Sequence, residues 1–139
     1  MNRRTVAFTL LAVVTALMWS DTVIEWWQSI LEFFLRVNES VTESVLETRP
    51  GNDMDLHVLV WASTGAVFVW AFRNKWWPAL LAVFAWSALV ETLQPVFTET
   101  RSRQVADYAG NAIGVAITAV SIALINRVRR KGQLSSPAR

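Results

Sequence analysis

The sequence predicts an all-α integral membrane protein with four transmembrane helices in an antiparallel bundle plus an amphipathic extracytoplasmic helix. Three observations carry this prediction. Hydrophobic residues make up 53% of the chain and its mean hydropathy is positive, on the apolar side for a soluble domain. Eight tryptophans are a heavy load for 139 residues, and most sit near the ends of apolar runs, where interfacial anchors belong. The basic residues form short clusters flanking those runs, the pattern that orients a chain in a bilayer. That clustering, with a net charge of only +2, argues against a nucleic-acid partner despite a pI near 9.7. Cysteine is absent, which excludes disulfides, thiolate zinc sites and a cysteine nucleophile.

The elements follow in order. Asn2-Arg3-Arg4 precedes an apolar run from Val6 to Trp19 that has the layout of a signal peptide. Val14 and Ala16 make a poor cleavage pattern and the chain continues into tryptophan-rich sequence, so the expectation is a retained first transmembrane helix over about 5–24. At about 1.5 Å per residue, about 20 residues cross a hydrocarbon core of about 30 Å. Val23, Trp27, Ile30, Phe34, Val37, Val41 and Val45 then recur at spacings of three and four, with Glu25, Glu32, Arg36, Glu39, Glu43 and Glu47 opposite. This predicts an amphipathic helix over about 25–48 with an acidic outer face, ended by Arg49-Pro50-Gly51-Asn52.

Leu56 to Phe72 is the second apolar run, and Arg73-Asn74-Lys75 leaves almost no loop before a third run, so helices over about 56–72 and 76–94 are expected to be antiparallel neighbours. Pro95 disfavours helix at Gln94 and predicts the end of the third span there. The fourth, over about 107–126, is rich in Ala, Gly, Ser and Thr, which let membrane helices approach closely. Residues 1–131 thus form one transmembrane domain, and 132–139 read as a disordered cytoplasmic tail.

Four crossings put both termini on one side. The termini and the Arg73/Lys75 turn hold nine of the 13 Lys and Arg residues, and the remaining loops hold Arg36, Arg49, Arg101 and Arg103, so both termini are predicted to be cytoplasmic. The polar residues Asp53, His57, Glu91, Gln94, Arg101, Asp107 and Asn111 then belong to the outer half.

Polar groups beside hydrocarbon are costly, which makes them functional candidates. Helical spacing puts Asp53, His57, Trp61 and Thr64 on one face of the second span; Ser87, Glu91 and Gln94 share a face of the third, and Asp107, Asn111 and Gly114 a face of the fourth. Converging, they form an outer pocket under Arg101 and Arg103. His57 with Asp53 or Asp107 suits acid/base work, because a carboxylate fixes the imidazole tautomer. His57, Glu91 and Asp107, with or without Asp53, are the metal-ligating candidates. Arg101 and Arg103 suit an anionic headgroup. The structural alternative pairs Glu91 with Arg101 and Asp107 with Arg103, and makes Gln94 and Asn111 hydrogen-bonding links between helices. Asp55 is expected to cap the second span or face water, and Trp61 and Trp86 to pack inside. No serine has nucleophile context.

Asp53-x-x-x-His57, Glu91-x-x-Gln94, Arg101, Asp107 and Asn111-x-x-Gly114 together resemble the VanZ-like family of small bacterial membrane proteins, with Met54 where that family usually has lysine. The resemblance spans the first helix through the fourth. It implies bacterial origin, residence in the cytoplasmic membrane and an envelope role associated with low-level resistance to the glycopeptide teicoplanin. Three functional expectations follow. One is a non-enzymatic protein binding a lipid-linked wall precursor or lipoglycopeptide through Asp53, His57, Glu91, Gln94, Arg101, Asp107 and Asn111. A second is an accessory subunit of a larger membrane complex. The third is an enzyme acting on a lipid headgroup through His57, Glu91 and Asp107. Neither a cofactor nor a bound metal is expected.

Overall fold

Asn2 starts the first helix by accepting the Arg4 amide on its side-chain oxygen, and every regular element that follows in this computed structural model, which describes residues 2–35, 53–98 and 104–134, is helical. The elements are α1 (Arg3–Met18), α2 (Thr22–Leu35), α3 (Met54–Ala71), α4 (Trp76–Phe97) and α5 (Val105–Leu134), with one 3-10 turn, Arg73–Lys75, between α3 and α4. The segment from Met54 to Ala71, the 3-10 turn with α4, and most of α5 are long and apolar enough to cross a membrane.

Three boundaries differ from the sequence reading. The expected first span of about 5–24 is divided at Trp19–Asp21 into α1 and α2. Ser20, Asp21 and Thr22 are residues that prefer caps to helix interiors, and the Ser20 and Thr22 hydroxyls bond each other at 2.8 Å. The 16 residues of α1 rise about 24 Å, short of a core of about 30 Å. The amphipathic helix consequently starts at Thr22; its expected course from 36 to 48 lies outside the described residues.

The second difference is at Pro95, which lies inside α4 rather than beyond it. In the last turn little helix remains to be disrupted, and the end is secured by Thr98, whose amide and hydroxyl both donate to the Gln94 carbonyl, at 3.0 and 2.9 Å. What proline removes is the N–H that would reach the Glu91 carbonyl. Third, α5 runs through the basic cluster to Leu134, so 132–134 are helical and not tail; 135–139 lie outside the described residues. Its 30 residues rise about 45 Å.

Helix α3 is central, packing on α1, α4 and α5. Its seam with α5 is set by glycine. A Cβ on Gly114 would stand 2.6 Å from the Val58 carbonyl oxygen and 2.9 Å from the Ala62 nitrogen, and one on Gly110 2.8 Å from the Met54 carbonyl oxygen. Only hydrogen fits there, so the backbones approach as small-xxx-small membrane pairs do. Thr118 adds a cross-helix bond to the Ala62 carbonyl at 2.9 Å.

Helix α1 is fixed to α4 through polar groups at its end. Trp86 Nε1 donates to Thr15 Oγ1 (2.9 Å), Trp19 Nε1 to the Val90 carbonyl (3.1 Å) and Gln94 Nε2 to the Met18 carbonyl (2.9 Å). Trp86 is part exposed while Trp61 is buried, so of the two only Trp61 packs fully.

The distribution of side chains departs from that of a soluble globule, for beside an apolar core that includes Trp61, Leu80, Val83 and Val90 polar groups are buried and large apolar ones exposed. The interior holds Thr64, Ser87, Glu91, Gln94, Asp107 and Asn111, all essentially inaccessible, while Phe8, Leu81, Leu89, Ile117, Val120 and Leu124 face outward. An apolar exterior over polar contacts between helices is what a hydrocarbon solvent selects.

Candidate functional site

The polar interior concentrates where the start of α3, the end of α4 and the start of α5 meet. Local helix geometry makes this possible: His57 is one turn after Asp53, Glu91 one turn after Ser87, and Asn111 one turn after Asp107, so each helix points its pair inward. All six residues are buried. The glycines of α5 then bring Asn111 against His57, since the Gly110 position already lies at the His57 Cβ.

His57 is the hub. Its Nδ1 is 2.8 Å from Asn111 Oδ1 and 3.8 Å from Glu91 Oε2; its Nε2 is 3.5 Å from Asp53 Oδ2. The hydrogen on one side follows from the neighbours. The Ser87 carbonyl can only accept, so it takes the Asn111 amide nitrogen, at 3.4 Å. That turns Asn111 Oδ1 toward the ring, and Nδ1 donates to it. The imidazole is thus oriented by an amide on one edge and faces a carboxylate on the other.

Asp53 occupies the position before the first turn of α3 yet makes no side-chain capping bond. Its carboxylate turns to His57 instead, while its carbonyl accepts the His57 amide at 3.1 Å. A residue in a capping position that forgoes its cap, typically worth about 1 kcal/mol, marks the histidine contact as the favoured alternative. Asp55, in the first turn, accepts the Leu56 amide on its Oδ1 at 3.0 Å and the Trp27 indole N–H at 3.2 Å. Asp107 completes the group: one ligand atom each from Asp53, His57 and Asp107 lie within 4.8 Å of one another. Glu91 is outside this trio, on the Nδ1 side, so of the four groups considered as ligands from sequence the structure brings Asp53, His57 and Asp107 together.

Of the seven residues singled out in the sequence, Asp53, His57, Glu91, Asp107 and Asn111 come together. Gln94 is buried but its amide nitrogen serves the end of α1, and its Oε1 has no hydrogen-bond partner among the described residues. Arg101 and Arg103 lie outside the described residues. Ser87 is buried with the cluster and takes part through its carbonyl. The residue that sequence reasoning overlooked is Gly110, for which the signal was present: Gly110-x-x-x-Gly114 beside Asn111 is a small-xxx-small pair.

The described cavities avoid this centre. One of about 470 Å³ lies at the other end of the helices and is lined by Arg3, Arg4, Phe72, Arg73 and Lys75; the others are lined by residues of that same end or flank. Among the described residues of α3, α4, α5 and the turn between α3 and α4, charge is segregated, with buried carboxyl groups at one end and Arg73, Lys75, Arg127, Arg129, Arg130 and Lys131 at the opposite one. Comparison with family models, with curated proteins and with solved structures gives no match for this chain.

Proposed function

We propose that the chain is a bacterial cell-envelope protein of the VanZ-like kind, resident in the cytoplasmic membrane with both termini cytoplasmic, and that the cluster around His57 recognises the polar headgroup of an amphipathic ligand on the outer side. In this reading α1 acts as a fourth, short crossing and α2 as the interfacial helix. A lipid-linked wall precursor or a lipoglycopeptide such as teicoplanin has the required chemistry.

The observation that carries the reading is the buried convergence of three carboxyl groups, one imidazole and one amide from three separate helices. A bundle held by packing alone gains nothing from it, since buried charged groups contribute little net stability against apolar ones of equal size. Nine of the 13 Lys and Arg residues fall at the termini and the Arg73/Lys75 turn, which supports the orientation through the positive-inside rule.

The test is native mass spectrometry of gently extracted protein, paired with drug susceptibility of cells. Glu91→Gln and Arg101→Ala are expected to lose copurifying lipid and to change teicoplanin susceptibility while remaining folded. Folded variants unchanged in both measurements refute the reading. Reporter enzymes fused at Asn74 and after Leu134 are expected to work only in the cytoplasm; activity outside overturns the orientation.

One observation favours a second reading, an accessory subunit of a larger membrane complex: Trp26, Ile30 and Phe33 of α2 are exposed. Crosslinking in native membranes that yields only self-contacts counts against it. A headgroup-modifying enzyme built on His57, Glu91 and Asp107 is the third, and normal function of a His57→Ala variant removes it.

A further inference from the structure

We infer that Asp53, His57 and Asp107 form a binding site for a divalent transition-metal ion of the zinc or manganese class. The inference deepens the headgroup reading, rests on the same cluster, and fails separately from it.

Three features of the geometry lead here. The first is the spacing between His57 Nε2 and Asp53 Oδ2. At 3.5 Å it exceeds the about 2.7–2.9 Å of a charge-assisted hydrogen bond. Two donors held at about 2.1 Å on one tetrahedral ion stand about 3.4 Å apart, which this pair already matches.

The second is the state of the imidazole. With Nδ1–H donated to Asn111 Oδ1, the Nε2 edge of the ring faces the Asp53 carboxylate, and a metal ion binding there takes the place of the proton that the two groups otherwise share. Metal-bound histidines characteristically donate their other ring N–H to an oxygen acceptor, which fixes the tautomer and raises ligand basicity. Asn111, itself oriented by the Ser87 carbonyl, is that acceptor.

The third is the donor set. Asp107 brings a carboxylate oxygen from α5 to join the two groups from α3, with all three ligand atoms within 4.8 Å and all three residues buried. One nitrogen and two carboxylate oxygens suit zinc or manganese better than magnesium or calcium, which favour oxygen alone. A dication also removes the repulsion between two ionised carboxylates in a medium of low dielectric. Three protein ligands leave a coordination position for an outside oxygen, the arrangement of an open metal site. Glu91, 3.8 Å from Nδ1, stands behind the ring and does not ligate.

The test uses the full-length chain in mild detergent, stripped with chelator, incubated with Zn²⁺ or with Mn²⁺ and exchanged into metal-free buffer before elemental analysis. About one ion per chain is expected for at least one metal. His57→Gln and Asp107→Asn are expected to lower the bound ion at least tenfold, and Asp55→Asn, which alters a carboxylate two residues from Asp53, to leave it unchanged. Monodispersity and helical circular dichroism are read on each variant. Should His57→Gln misfold, Asp53→Asn, which keeps the volume, is read in its place.

Substoichiometric metal in the wild-type protein with both ions overturns the inference, as does equal metal in wild type and folded Asp107→Asn. Copurifying lipid is measured on the same samples. Lipid retained without metal refutes the metal site alone; metal retained without lipid refutes the headgroup reading alone.

Discussion

Replacing Gly114 by alanine tests the connection between packing and site most directly. The added Cβ would meet the Val58 carbonyl oxygen at 2.6 Å, and both nearest atoms belong to the α3 backbone, which cannot swing aside. Reaching ordinary contact at 3.4 Å requires α5 to withdraw by about 0.8 Å. Adding that displacement to the 2.8 Å bond between His57 and Asn111 carries it to about 3.6 Å, beyond hydrogen-bonding distance. Overpacking costs about 1–3 kcal/mol and the lost bond about 1, against about 1 regained in helix propensity. A net loss of about 1–3 kcal/mol is expected.

Reversible unfolding in mixed micelles, followed by tryptophan fluorescence, measures this loss, with Gly65→Ala as the internal control. At Gly65 the nearest atoms are side-chain ones, Thr118 Oγ1 at 3.1 Å and Leu80 Cδ2 at 3.2 Å, and a shift of a few tenths of an ångström relieves the contact. Gly65→Ala is therefore expected to cost less than Gly114→Ala. If Gly114→Ala is as stable as Gly65→Ala, or more stable than wild type, the close approach of α3 and α5 is not what places Asn111 beside His57.

Three further outcomes are expected from the same titration. Thr118→Val, which removes the bond to the Ala62 carbonyl but keeps the shape, should cost about 0.6 kcal/mol, less than Gly114→Ala. A double-mutant cycle between Trp86→Phe and Thr15→Val should give a coupling of about 0.5–1.5 kcal/mol, and a coupling near zero would remove this attachment of α1 to α4. Pro95→Ala supplies an N–H toward the Glu91 carbonyl and should stabilise by about 1 kcal/mol or less; a loss instead would mean that the fixed proline φ is needed there.

Much of the candidate site was legible because helical spacing is local. Asp53 and His57, Ser87 and Glu91, and Asp107 and Asn111 each fall on one face whatever surrounds them, and buried faces in a chain this apolar had to meet. The helix ends were less legible. Pro95 reads as a stop because proline disfavours helix, yet its cost depends on how many turns follow, and Thr98 closes α4 almost at once. The apolar run across Trp19 reads as continuous because hydropathy ignores the caps and turns that Ser20, Asp21 and Thr22 favour.

The sequence by itself determined that this is a helical chain of membrane type with polar faces gathered at one end and nine of its 13 Lys and Arg residues at the other, and it read four crossings where the structure has three helices long and apolar enough to span. Those properties follow from period, length and charge order along the chain. Only the tertiary structure decided which atoms meet: Asn111 and Glu91 on the Nδ1 edge of His57, Asp53 on the Nε2 edge, Asp107 within reach, and Gln94 diverted to the end of α1. The physical reason is that these pairings depend on how closely and in what register separate helices pack. In this chain that distance is set where Gly110 and Gly114 let two backbones touch.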